Sequence, residues 1–407
     1  MRQADNRIAH NFHELLVNEK AAYMFTYPVL FDIDDNKNKL NDEILVILGD
    51  DFESISKNLC IEASNTGVAW LHYWYIVDEE GNKKSFEYGM VETEQVVPVY
   101  SNDLKKKLVS VFRYYPSVEE QDNGQSKNFV YFEYWTEDKL EKYKFEGYID
   151  GADIKYIPDA YEEFKHDIGA IPFIEFLNNK TKRSDLSRYK DLIDLYDKVM
   201  SGFANDLEDI QQIIYILENY GGTDISQFLG DLKRYKAIKT NSGIQGTSGG
   251  VKTLQIEIPV EARKVILETL KKQIYESGQG LQQDTESFGN ASGVALKFFY
   301  RKLELKSGLT ETEFKKGFNK LIRAILNFLG KDENLKIQQT YTRNMISNDL
   351  ENAQIAQASV GIIPEKYILR NHPWVDDPEE AEEEMKKEEN QVDPYSDMDN
   401  KDEDNDE

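Results

Sequence analysis

The chain has one cysteine, Cys60, so no intramolecular disulfide can form, and five histidines scattered over 407 residues are too few for an obvious zinc site. No apolar run approaches the roughly 20 residues a membrane-spanning helix requires. The opening MRQADNRIAH has neither the charged-then-apolar order nor the cleavage site of a signal peptide. Together these absences predict a soluble, cytosolic chain with no membrane association, and they leave Cys60 as a small buried hydrophobe. Positive charge is also scarce: 49 Lys and Arg stand against 75 Asp and Glu, a formal net charge of −26. Residues 376–407 hold 17 acidic and three basic residues, a net −14, which leaves −12 for residues 1–375. Tight duplex binding draws on Lys and Arg displacing counterions from phosphates, so this balance argues against a static DNA-binding protein. It leaves open a surface past which DNA slides.

Aromatic residues are plentiful, with 24 Tyr and 20 Phe, and 40% of the chain is hydrophobic, enough for two or three domains at roughly 100 to 200 residues each. Residues 1–30 read as one helix, with Ile8, Phe12, Leu15, Leu16 and Tyr23 near one stripe, ended by Tyr27-Pro28. Short helices follow over 38–68. The texture then changes to aromatic, alternating runs at 70–77, 96–100, 108–115, 129–135, 143–149 and 171–176, the first followed by a hairpin signature at 78–82. Residues 69–177 therefore predict a mostly antiparallel sheet region.

Beyond Ser184 apolar residues recur every three or four positions to Leu217, which predicts a helix from Asp185 about 50 Å long, with Gly202 as a point of bending. Its other face carries Asp191, Asp194, Lys198, Asp206 and Asp209. A compact insertion follows, with a glycine cluster at 243–250 and a strand over 254–258. Pro259 then opens a helix to about Glu276. Residues 277–290 read as a polar, flexible loop. A long helical stretch over 292–329 is expected to break at Ser307-Gly308 and restart at Thr310, whose spacing to Glu313 matches a capping box. Residues 336–346 read as a strand returning to the sheet region, and helices resume at 349–360, 364–371 and 377–390. The acidic tail from Asp393 is too poor in apolar residues to fold.

Chemistry is hard to find in this pattern. Residues 246–253, GTSGGVKT, resemble a phosphate-binding loop, but Val251 stands where its second glycine belongs and the segment leads into a strand. His10 and His13 share a helix face with Asn6 on the helical reading, without a third metal ligand. The carboxylates match solvated helix faces. No catalytic residue, cofactor site or metal site is assigned. The competing class is a carboxylate-based carbohydrate- or nucleotide-processing enzyme built on the aromatic sheet. What stands out is architectural: two long helices joined by a small insertion make a stalk whose apolar stripes need neighbours to bury them.

Several stretches, in this order, resemble a known family. They are Asp5-Asn-Arg-Ile-Ala-His-Asn-Phe-His13 with Tyr27-Pro28, Asn178-Asn179, Ser184-Asp-Leu-Ser-Arg-Tyr-Lys-Asp-Leu-Ile-Asp194, Gln211 to Leu217, Asn219-Tyr220-Gly221, Ser292-Gly-Val-Ala-Leu296 and the run from Gly361 to Glu380. Nearly the whole chain is similar to the portal, or head-tail connector, proteins of tailed bacteriophages, of the siphophage type found in Gram-positive hosts. The resemblance implies a non-enzymatic α+β protein that forms a homo-oligomeric ring, typically a dodecamer, at one capsid vertex, through which double-stranded DNA is packaged and ejected. It implies a location in the virion, and in the host cytoplasm during assembly. Implied partners are the terminase large subunit, head-completion or adaptor proteins, and capsid and scaffolding proteins.

Laid on this chain, the family plan gives a wing over 1–183 and 330–348, and stem helices over 184–217 and 259–276. It gives a clip over 218–258, a tunnel loop over 277–291, a long kinked helix over 292–329, a helical crown over 349–392 and a disordered acidic tail over 393–407. Gln279, Gln282, Gln283, Asp284, Thr285 and Asn290 would then line the DNA channel, and Lys233, Arg234, Lys236 and Lys239 would contact a partner at the clip. Family members usually carry several dozen residues before the segment matching Asp5, so the chain is expected to start late or to be a truncated product.

Overall fold

The computed structural model describes residues 4–34, 38–78, 80, 83–121, 124–148, 155–210, 214–218, 226, 250–254, 259–281, 293–343 and 349–370, together with 375, 381, 382, 384, 385 and 387. Three helices open the chain: α1 (Phe12–Met24), then a short strand β1 (Leu30–Ile33), α2 (Asn38–Leu48) and α3 (Phe52–Thr66). Gly67 ends α3 in a left-handed conformation, φ 98°, and a Cβ there would lie 2.3 Å from the Lys182 carbonyl oxygen, so both backbone hand and space require glycine.

The strand-rich region is antiparallel throughout and forms two sheets. One has the order β10-β2-β3, with β2 at Val68–Val77, β3 at Lys83–Val91 and β10 at Phe173–Leu177. The other runs β4-β5-β6-β7-β8, from Val96–Tyr100, Leu108–Glu120, Ser126–Trp135 and Lys139–Glu146 to Lys155–Tyr156, with β9 (Glu162–Lys165) also pairing β7. Strand β2 explains its own unbroken apolar start. Successive side chains point to opposite faces, and Ala69, Leu71 and Tyr73 enter the main core while Trp70 enters a second core with Val91, Val96, Val111, Trp135 and Phe173. His72 lies on that second side, stacked on Phe173, and burial pushes its pKa down to about 4.

The second half contains α4 (Lys190–Ile210), a hairpin of β11 (Ile214–Glu218) with β12 (Gly250–Leu254), α5 (Val260–Gly278), α6 (Gly293–Phe328), β13 (Ile337–Thr340), α7 (Asp349–Ser359) and α8 (Glu365–Arg370). The C-terminal half of α6 places Phe314, Phe318, Leu321, Ile322, Ile325 and Leu326 at helical spacing in the main core, against α1, α2, α3 and β10.

Four expectations are corrected. Residues 4–11 are not helical. Their backbone lies along α4, where Asn6 N–H donates to Asn205 Oδ1 at 2.6 Å, Ile8 N–H to Ser201 Oγ at 2.9 Å and His10 N–H to Asp197 Oδ2 at 3.4 Å. Two residues of extended chain advance about 6.6 Å and four of helix about 6 Å, so every second donor meets every fourth side chain. His10 and His13 consequently part company. The first meets Asp197 and the second sits between Tyr189 and Asn65.

The helix expected to reach Leu217 ends at Ile210, because the β-branched run that follows pairs with β12. That pairing also places Val251, Lys252 and Thr253 in a strand, which is not the helix start a phosphate-binding loop needs. The long helix α6 continues through Ser307-Gly308, since Lys306, Ser307 and Thr310 are all buried and tertiary packing outweighs the roughly 1 kcal/mol propensity cost of one glycine. The strand at 337–340 pairs with β1, an element the sequence pattern did not suggest, and joins neither of the larger sheets. The expected strand over 255–258 and the tail beyond 387 lie outside the described residues.

Gly317 on α6 abuts the Phe176 ring, and a Cβ there would lie 2.5 Å from a ring carbon. Phe176 is fully buried among Phe314 and Phe318 and has no room to retreat. Gly317→Ala is therefore expected to destabilise the fold by about 1–3 kcal/mol despite the better helix propensity of alanine. Denaturant unfolding monitored by circular dichroism measures this, and an equal or higher midpoint would contradict the packing described.

Candidate functional site

The C-terminal end of α5 opens the loop over 277–291, and the structure describes that loop through Leu281. The root is held tightly. Gln279 adopts φ 56°, its N–H donates to Glu276 O at 3.3 Å, and Gly280 N–H reaches back to Tyr275 O at 3.1 Å, closing the helix with a left-handed cap. Added Cβ atoms at Gly278 and Gly280 would meet Leu16 at 2.6 and 2.2 Å, so the two glycines let α1 approach the backbone directly. Both Glu19 carboxylate oxygens accept from Leu281 N–H, at 3.2 and 3.0 Å, and Arg188 Nη1 donates to Gln279 Oε1 at 3.0 Å.

Beneath this root lies a buried charge cluster. Lys306 of α6 donates through Nζ to Gly278 O at 2.9 Å and pairs with Asp185 at 3.0 Å. Asp185, in the turn before α4, pairs on the same oxygen with Lys20 of α1 at 3.3 Å and accepts from Asn178 Nδ2 on the other at 2.9 Å. Lys20 also donates to Ser64 Oγ at 3.1 Å and to Asn178 Oδ1. Thr310 Oγ1 donates to Asn178 O at 3.1 Å, and Ser184 caps the turn by accepting from Leu186 N–H at 3.1 Å.

The electrostatics follow from this geometry. Burial would raise the Asp185 pKa, but the two ammonium groups and the Asn178 amide overcome that and hold it at about 2. Burial lowers the Lys306 pKa, opposed by the charge of Asp185. Glu19 is pushed up by burial, against the opposing pull of the Leu281 N–H and Lys306. Two buried ammoniums share one buried carboxylate, and the half-buried Glu19 supplies further negative charge nearby.

Of the residues assigned to the loop from sequence, Gln279 is at this root with its side-chain oxygen engaged by Arg188. Gln282, Gln283, Asp284, Thr285 and Asn290 lie outside the described residues, as do Lys233, Arg234, Lys236 and Lys239. The sequence reading missed Lys20, Asp185 and Lys306. A signal was present for the first: Lys20 stands four residues from both Leu16 and Met24, in the middle of the buried stripe of α1. Among the described residues no group of three or more His, Cys, Asp or Glu could hold a metal ion, and no helix is long and apolar enough to cross a membrane.

Removing the carboxylate would leave two buried ammoniums uncompensated, so Asp185→Asn is expected to cost about 3–5 kcal/mol. The pH dependence has a defined sign. A carboxylate with a depressed folded-state pKa contributes stability above its unfolded value of 3.8 and loses it as pH falls through about 2. Urea titrations between pH 5 and 2 should therefore show a decline that is shallower in Asp185→Asn; identical slopes would exclude the ion pairing as its source.

The model of the family described as "Phage portal protein, SPP1 Gp6-like" matches residues 1–395. The portal protein of Clostridium phage phiCD119 is 63% identical over 389 residues, covering 94% of this chain and 84% of the relative. The portal protein of Bacillus phage SPP1 is 30% identical over 410 residues, covering 97% of this chain and 78% of the relative. Among solved structures, a chain described as "Neck of empty GTA particle computed with C6 symmetry" aligns over 89% of each chain at 13% identity and a TM-score of 0.46. The α+β fold described above is thus a portal fold, its role is structural, and the chain belongs to the SPP1 Gp6-like family of phage portal proteins.

Proposed function

We propose that the chain assembles into a closed ring at one capsid vertex, through which double-stranded DNA is packed and later ejected, and that the loop over 277–291 lines the narrowest part of this channel. On this reading residues 1–183 and 330–348 form the wing, α4 and α5 the stem, 218–258 the clip and 349–392 the crown. The observation that carries the loop assignment is its rooted base. Lys306, Glu19 and Arg188 fix residues 278–281 to α6, α1 and the turn before α4. Beyond that base the sequence offers Gln282, Gln283, Thr285 and Asn290, amides and a hydroxyl that hydrogen-bond phosphates without the salt-dependent grip of lysine. A firm base with a polar, lysine-free tip guides a sliding polyanion without clamping it. The net charge of −12 over residues 1–375 supports the same reading, because like charge discourages tight phosphate contact.

The clip, on this reading, carries the contact for the terminase motor and for head-completion proteins through Lys233, Arg234, Lys236 and Lys239. Capsid and scaffolding proteins would meet the outer parts of the ring. Twelve subunits are proposed on family grounds.

Two experiments test these assignments. A cysteine placed at Gln283 in a Cys60→Ala background should react with small thiol reagents in empty rings and be protected when DNA fills them. Equal labelling in both states would put the loop outside the channel. Charge reversal at Lys233 and Arg234 should leave ring mass unchanged while cutting DNA packaging in vitro at least severalfold; wild-type packaging by that variant would remove the clip contact.

A further inference from the structure

Gly202 sits in the middle of α4, eight residues from its C-terminal end, where glycine is the costliest residue after proline. Nothing among the described residues calls for it: a Cβ built there finds no atom within 4 Å. The surroundings of α4 show which face this is. Asp197, Ser201, Asn205 and Glu208 hold residues 4–11, while Ile193 packs with Ile274 and Asp206 pairs with Arg263 of α5. The remaining stripe is Asp191, Leu195, Lys198 and Gly202, at helical spacing, with the exposed Asp194 at its edge beside Lys198, and Leu195 is 43% exposed on it.

The outward face of α5 has a matching pattern. Val265 and Ile266 are exposed there, at 58% and 42%, with Glu268 and Lys272 following toward the C-terminal end. Because Arg263 lies beside Asp206 and Ile274 beside Ile193 in this antiparallel pair, levels on the two helices can be compared. Val265 and Ile266 fall within one residue of Gly202. Glu268 falls about two residues from Lys198, and Lys272 about two from Asp194, or roughly 3 Å each at 1.5 Å per residue. Lys198, Glu268 and Lys272 make no ion pair among the described residues, and Asp194 meets only the exposed Lys190 one turn away.

We propose that Gly202 is a socket for Val265, flanked by Ile266, of a second copy of this chain, with Glu268 and Lys272 of that copy paired to Lys198 and Asp194. The two faces differ, so the contact is heterologous, and repetition of one heterologous contact closes into a ring when the rotation permits. Copies related by rotation keep their height along the axis, and complementary groups must then share a level when the helices run along it. These do. The apolar pair stands opposite the bare glycine, and the next two levels carry opposite charges. A Gly at this position gives up helix stability within the subunit and supplies room for a neighbour's side chain.

The inference rests on the ring reading above, and the experiment separates the two. Gly202→Leu, Glu268→Lys, the pair Gly202→Leu with Val265→Ala, and the pair Glu268→Lys with Lys198→Glu are compared with the full wild-type chain by mass photometry and far-ultraviolet circular dichroism. Gly202→Leu and Glu268→Lys should each keep the helical signal while shifting most of the mass from rings of several hundred kilodaltons to small species. Each paired variant should restore at least half of the rings. Wild-type chain that never forms rings would overturn the ring reading and this contact with it. Rings that form in the wild type and persist in both single variants would overturn the contact alone. Loss of the helical signal in Gly202→Leu passes the decision to the charge pair: rings lost in Glu268→Lys and regained with Lys198→Glu support the contact, and rings kept in Glu268→Lys overturn it.

Discussion

A single carboxylate shared by two buried ammonium groups is the constraint around which the described structure is arranged. Asp185 lies where the strand-rich region hands the chain to α4, and it reaches α1 through Lys20 and α6 through Lys306. Asn178, at the end of β10, touches Lys20, Asp185 and, through its backbone carbonyl, Thr310. Segments separated by well over a hundred residues therefore meet in one hydrogen-bonded cluster. Apolar packing alone would tolerate sliding of α6 along α1, since hydrophobic contact is not directional. Ionic hydrogen bonds tolerate little, because any displacement strands a charge away from water. The same Lys306 ends on a carbonyl of the loop root, so the position of that loop is set by the register of α6.

Around this polar centre the aromatic residues do the space filling. Phe25, Phe31, Phe52, Phe176, Phe314 and Phe318 pack mainly at tilted and edge-on angles in the main core, and the second core joins the two sheets through Trp70 and Trp135. Tyrosines at the margins point their hydroxyls to carboxylates, as Tyr23 does to Glu304, Tyr100 to Glu175 and Tyr115 to Glu133. That division accounts for a composition rich in both aromatics and acids. Large rings bury area, and acid side chains at their rims accept hydrogen bonds from the phenolic hydroxyls.

The sequence was most informative where one period dominated a segment. The aromatic runs over 69–177 marked β2 to β7 and β10, and the helical spacing marked α2, α3, α4 and α5; β2 stood out by an unbroken apolar start, because its two faces enter two cores. It was least informative where the partner is remote. Strand β1 has four residues and exists by pairing with β13, some three hundred residues away. The run after Ile210 has helical and strand readings of similar merit, and β12 decides between them. At Ser307-Gly308 local propensity pointed to a break that burial on both sides of the pair overrules. Residues 4–11 misled for a different reason: Ile8 and Phe12 happen to fall on a helical stripe, while the backbone donors are satisfied by α4 side chains. The charge cluster was legible in part, since a lysine centred in an apolar stripe is anomalous, but Asp185 looks from sequence like an ordinary residue of a helix start.

Residues 4–11 carry a consequence for how this segment can vary. Ser201 takes the N–H of Ile8 and lies 3.5 Å from its carbonyl oxygen, so a helix side chain stands in for the neighbouring strand of a sheet. At position 8 the recognised groups belong to the main chain and meet Ser201, while at positions 6 and 10 the Asn6 and His10 side chains also bond, to Glu208 and Asp197. Substitution is thereby made asymmetric. Position 8 is open to almost any residue that keeps its N–H, proline being the exception, while each acceptor on the helix is held to a small set of oxygen-bearing residues. Divergence in this segment would accumulate at position 8 and spare Ser201, while positions 6 and 10 are held together with their partners on the helix.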